Sequence, residues 1–118
     1  MKLWIDDVRP APEGYHWDKT VNDAKRDIEW LEESYNVMMH QYLDRRANLE
    51  DVEFYKLEII DIDHDAGDYA CDGGDYIKLL DWLEETGRNY PIRIHSMNVV
   101  GVANMRAIIR RNGWTEVR

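Results

Sequence analysis

Cysteine is almost missing from this chain. The single thiol, Cys71, has no second cysteine to pair with, so no intrachain disulfide can form. A reducing setting, the cytoplasm, is therefore expected, with Cys71 an ordinary free thiol. Long apolar runs are missing too. No stretch approaches the roughly 20 residues that a helix needs to span a bilayer. The opening MKLWIDDVRP lacks the apolar segment of a secretion signal. A soluble protein with no membrane partner is expected. Basic residues are outnumbered, 15 Lys and Arg against 24 Asp and Glu, for a net charge of −9. That balance argues against broad binding to a DNA backbone, which requires a basic face. Repeats and low-complexity tracts are absent.

What the chain does hold is apolar bulk. It is 44% hydrophobic, with 5 Trp and 7 Tyr among 118 residues, enough for one core and one domain over residues 1–118. Charge is uneven. Residues 57–87 are rich in Asp and Glu, a composition suited to cations, whereas residues 88–118 are rich in Arg. Arg106, Arg110 and Arg111 fit a solvated helix face, with local contact to a phosphate as the alternative.

The order of elements is legible from periodicity. Residues 2–6 read as a buried strand, 9–14 as a Pro- and Gly-containing loop, and 15–18 as a short second strand. Thr20 can cap a helix, with Asp23 in a capping-box position and Val21, Ala24, Ile28 and Leu31 as its apolar stripe. Residues 35–55 read as an insertion packed on the core. A helix there is favoured by Tyr35, Met38 and Tyr42, and a strand through Asn36–Met39 stays open. Residues 57–62 give the clearest strand. A polar loop follows to Gly74, and Asp75 can cap a helix with Tyr76, Leu79, Leu80 and Leu83 inward and Gly87 at its end. Residues 91–95 form another strand. Ser96 or Asn98 can cap a helix with Val102, Met105 and Ile109 buried, stopped by Gly113, and 114–117 make a last strand. Strands alternating with helices predict an α/β fold with a parallel sheet and helices on both faces.

Three polar clusters follow three of these strands: Asp6 and Asp7; Asp63, His64 and Asp65; and His95, Ser96, Met97 and Asn98. In a parallel sheet the carboxyl ends of all strands share one rim, so the clusters converge. Adjacent carboxylates need a cation or a shared proton, and Mg2+ takes oxygen ligands, so Asp6, Asp7 and Asp63 are the candidate metal ligands for Mg2+ or Mn2+. Histidine titrates near neutrality, which suits His64 to general acid–base work or ligation, with Asp65 orienting it. His95 is a candidate second proton-transfer group. Ser96 and Asn98 sit where a helix begins and can bind phosphate oxygens, and Arg9 can grip phosphate by its planar fork or neutralise Asp6 and Asp7. The alternative reading of residues 63–65 is a polar turn bonding its own backbone. A calcium loop starting at Asp61 fails, because Ala66 stands where glycine is needed and Asp72 where glutamate is. His16 and His40 show no partner in the sequence. The tryptophans suit packing, although Trp4 and Trp17 can shape a base-stacking wall.

These residues carry a resemblance. Leu3 through Tyr15 (LWIDDVRPAPEGY), then Ile62 through Gly67 (IDHDAG), then His95 through Asn98 with Gly101 and Met105, look like the cyclic-phosphate-processing receiver family, a branch of the receiver fold of response regulators. The resemblance implies a flavodoxin-like sheet in strand order 2-1-3-4-5. It also implies a site from Asp6, Asp7, Arg9, Asp63, His64, Asp65, His95, Ser96 and Asn98. The implied activity is processing of cyclic phosphates, with a cyclic nucleotide or an RNA end as the small phosphate-bearing ligand; together with the candidate metal ligands and histidines above, metal-dependent hydrolysis is the expectation. Ordinary receivers phosphorylate an aspartate matching Asp63 and carry a lysine after the fifth strand. Residues 114–118 offer none, and Ala66 stands where the family usually has leucine. A phosphoryl-accepting receiver and a non-catalytic nucleotide- or protein-binding module are the alternatives.

Overall fold

The computed structural model describes residues 1–118 and contains the expected sheet. Five strands, β1 (Lys2–Ile5), β2 (Tyr15–Asp18), β3 (Ile59–Ile62), β4 (Ile92–Ile94) and β5 (Glu116–Val117), pair in the order β2-β1-β3-β4-β5. Every pairing is parallel. Four helices complete the chain: α1 (Val21–Leu43), α2 (Leu49–Tyr55), α3 (Ile77–Glu85) and α4 (Val99–Asn112). None is long and apolar enough to cross a membrane.

Side chains alternate between the faces of a strand, and here the alternation separates two chemistries. Leu3 and Ile60 are in register, as are Ile60 and Ile92, and Ile5 pairs with Ile62. All are buried, and they form one cluster with Val21, Ala24, Ile28 and Leu31 of α1, Leu79, Leu80 and Leu83 of α3, and Met105, Ile108 and Ile109 of α4. Burying each Leu or Ile contributes about 1.5–3 kcal/mol, so this face holds the fold together. The opposite face carries Trp4, Asp61 and Arg93 in a single row.

The helices do not flank both faces, as the strand–helix alternation predicted. α1 packs against α3 and α3 against α4, in one layer on the aliphatic face. Handedness explains it. From β2 to β3, β3 to β4 and β4 to β5 the chain moves in one direction across the sheet, so right-handed crossovers all pass over the same side. Only β1 to β2 runs the other way, and residues 6–14 make that link without a helix.

Local signals explain most boundaries. Thr20 Oγ1 accepts from the Asp23 amide at 2.9 Å, capping α1 as predicted. Residues 36–39 continue α1 rather than forming a strand, and α2 supplies a second helix within residues 35–55. The stretch from Glu32 to Leu43 has no Pro or Gly and several straight-chain residues, which sustains a helix. Asp75 does not cap α3. Tyr76 holds that position, and Asp75 Oδ1 instead accepts from the Ala66 amide at 3.1 Å, tying down the loop. Asn98 caps α4 by accepting from Gly101 N–H at 2.9 Å, and Gly113 ends it in the left-handed region at φ 67°. In α4, Gly101 and Ile108 are buried where the spacing placed Val102.

Candidate active site

The rim is assembled where three adjacent strands stop. Just past β1, Asp6 Oδ1 accepts from the amides of Val8 and Arg9, both at 2.9 Å, so the chain turns around its own carboxylate. Asp6 Oδ2 lies 2.9 Å from His95 Nε2. His95 Nδ1 lies 2.6 Å from Asp61 Oδ1, and Arg93 Nη1 donates to Asp61 Oδ2 at 3.2 Å. Arg93, Asp61, His95 and Asp6 thus form one polar relay across β4, β3 and β1. Asp6 and Asp61 are each 1% exposed, and the His95 ring stacks on Trp4 at 3.8 Å with 4° between the planes. Trp4 Nε1 in turn donates to the Arg9 carbonyl at 2.8 Å, which pins the loop over this face.

Burial works against the charge on Asp6, but the Val8 and Arg9 amides and the His95 imidazole outweigh it and hold the carboxyl below its ordinary value. Asp7 goes the other way. Burial and the nearby Asp6 and Asp63 carboxylates raise it. Carboxylate oxygens of Asp6, Asp7 and Asp63 all lie within 4.8 Å of one another. The loop passes tightly over them: a Cβ on Gly67 would sit 2.5 Å from Asp7 Oδ2, and its φ of 55° favours glycine as well. An all-oxygen, acidic donor set of this kind fits a hard cation such as Mg2+ or Mn2+.

His64 follows directly, its backbone N–H donating to Asp63 Oδ1 at 2.8 Å and its side chain only 14% exposed. Its Nδ1 faces Asp65 Oδ1 at 2.9 Å, and Asn98 Nδ2 reaches both residues at 3.3 Å. The bond from His64 holds the Asp65 carboxyl below its usual range. α4 presses on the ring, since a Cβ at Gly101 would lie 2.5 Å from it. His64 Nε2 has no protein partner, whereas both nitrogens of His95 are engaged.

The three clusters seen in the sequence therefore meet. Asp6, Asp7 and Asp63 form one group, His95 bonds Asp6, and Asn98 bonds the His64–Asp65 pair. Ser96 Oγ accepts from the Asn98 amide at 3.1 Å and shapes the entry to α4. Arg9 makes no ion pair with Asp6 or Asp7; its guanidinium reaches the His95 carbonyl at 3.5 Å. Asp61 is the residue that sequence reasoning missed as part of the site. The signal was a lone acid inside an apolar strand, Ile59-Ile60-Asp61-Ile62, which a buried strand tolerates only with a partner. The largest cleft, about 640 Å3, lies elsewhere, at the amino ends of the strands between Leu31, Tyr35, Leu57 and Tyr90, and it gathers none of these groups.

Residues 1–111 match the family model of the cyclic-phosphate processing receiver domain. The chain belongs to this family. No curated protein and no solved structure matches it. In this receiver domain β5 ends on Val117, with Arg118 directly after it. Ala66 is fully buried in the aliphatic cluster, a packing position.

Proposed function

We propose that this receiver domain hydrolyses a cyclic phosphodiester, on a nucleotide or an RNA end, with a divalent cation held by Asp6, Asp7 and Asp63. The observation that carries this reading is the convergence of three carboxylates within 4.8 Å beside a histidine that keeps one nitrogen open. When bound, the cation would polarise the phosphoryl oxygens and stabilise developing charge. His64 moves the proton: Nε2 takes it from the attacking water as the new P–O bond forms, one ring ester bond breaks, the leaving oxygen is protonated from solvent water to give a phosphomonoester, and Nε2 then returns its proton to solvent. Asp65 and Asn98 hold the His64 ring in orientation. His95 is a positioning residue, because its nitrogens are occupied by Asp61 and Asp6 and it fixes the Asp6 carboxylate. Ser96 and the Arg9 guanidinium border the place where phosphate oxygens would lie.

The test is turnover of 2′,3′- and 3′,5′-cyclic nucleotides and of RNA ending in a 2′,3′-cyclic phosphate, with Mg2+ or Mn2+ present. Ring opening to a monoester that stops in His64→Gln supports the reading. Cation binding without product from any of these substrates overturns it and leaves a binding module.

A further inference from the structure

On the aliphatic face of the sheet, His16 and Asp18 project from the same side of edge strand β2 toward Asp27 of α1, although the Asp18 backbone lies next to the rim and its carbonyl accepts from the Asp6 amide at 3.3 Å. His16 Nε2 lies 2.9 Å from Asp27 Oδ2 and 3.4 Å from Asp18 Oδ1. One ligand atom from each of the three lies within 4.8 Å of the others. A mixed imidazole and carboxylate set is not what Mg2+ prefers. It matches the sites in which three side chains hold Zn2+ and a water takes the fourth position.

Two observations separate this cluster from a chance group of surface acids. The Asp18 side chain is 5% exposed, and its Oδ2 is buried with no hydrogen-bond partner, the only such buried side-chain atom in the structure. A buried carboxylate with an oxygen left without a donor is costly, and a cation bound to the Asp18 carboxylate would offset that cost. The spacing also fits. Ligands of a tetrahedral ion with bonds of about 2.1 Å stand roughly 3.4 Å apart; His16 Nε2 and Asp18 Oδ1 stand at 3.4 Å, and His16 Nε2 and Asp27 Oδ2, hydrogen-bonded at 2.9 Å, need only move slightly apart.

We infer that His16, Asp18 and Asp27 form a second divalent-cation site, selective for Zn2+ over Mg2+, which ties α1 to the edge of the sheet.

The experiment is a calorimetric Zn2+ titration of the full chain with excess Mg2+ present, combined with NMR of the histidine ring nitrogens. One Zn2+ equivalent should bind and shift the His16 Nε2 resonance. That equivalent should persist in Asp63→Asn, which dismantles only the rim. It should weaken at least about 100-fold in Asp27→Asn and in His16→Gln, both partly exposed positions whose variants should fold. Zn2+ binding unchanged in Asp27→Asn and His16→Gln overturns the inference. So does Zn2+ binding lost in Asp63→Asn alone, which would place the ion at the rim.

Discussion

The rim and the β2 edge use the same side chains on one sheet to opposite ends. At the rim, each buried carboxylate is given donors by the protein: Asp6 has two amides and His95, and Asp61 has His95 and Arg93. At the edge, Asp18 is nearly as buried, yet one oxygen has no donor. The difference lies in strand position. β1 and β3 each have a neighbour on both sides, and β4 sends Arg93 and His95 across to their acids. β2 has β1 alone, and facing Asp18 there is the buried, apolar Ile5. Interior strands can pre-satisfy a functional acid, whereas an edge strand leaves it waiting for a proton or an ion.

The largest effect is expected at the rim. Asp63→Asn should cut turnover of a cyclic-phosphate substrate about 10³-fold, the scale of several kcal/mol of charge stabilisation. Paired kinetics and Mn2+ binding check it, and near-normal rates would show that the three-carboxylate group holds nothing essential. Next comes stability. Asp61→Asn removes a charge from a buried relay and should cost about 3–5 kcal/mol in urea unfolding. Asp18→Asn should be neutral or stabilising in chelator-treated protein, because it removes an acid that lacks a donor. Equal losses at both positions would abolish the contrast between interior and edge strands.

A pH series sharpens the same contrast. Burial and Asp27 push the Asp18 carboxyl from its ordinary 3.8 up to about 9. Between those values the folded state holds a proton that the unfolded chain has released. The contribution of this group is therefore full below 3.8 and declines as pH rises toward 9. Asp6 has the opposite sign: its lowered carboxyl favours folding above the ordinary value and loses that contribution in acid. Metal-free wild-type protein should weaken between neutral and mildly alkaline pH in chemical unfolding, and Asp18→Asn should flatten that slope. An unchanged slope would mean that Asp18 ionises freely.

The smallest change tests positioning. Gly101→Ala places a methyl against the His64 ring and should lower turnover about 10–100-fold, the usual result of misplacing a reacting group. Cation affinity at the rim should stay as it was. Loss of both together would mean that α4 supports the carboxylates as well as His64.

Much of this was readable in the chain, for reasons particular residues make plain. The aliphatic runs at Leu3, Ile60 and Ile92 define strands, the Thr20 and Asn98 caps define helix starts, and clusters following strands must share a rim in a parallel sheet. The helix layer was misjudged because it follows from the direction of each crossover, which depends on strand order rather than on any local residue. Asp61 and the His16–Asp18–Asp27 group were missed because their partners lie 34 positions away for His95 and Asp61, and across the strand-to-helix turn for Asp18 and Asp27. A pattern read along the chain sees an acid; only the fold shows what faces it.

The short link between β1 and β2 also bears on how such a site can change over time. Residues 6–14 carry Asp6, Asp7 and Arg9 and roof a side of the sheet that no helix covers. Lengthening or rewriting that link disturbs none of the aliphatic packing beneath α1, α3 and α4, so new ligand preferences can evolve there while the scaffold stays intact.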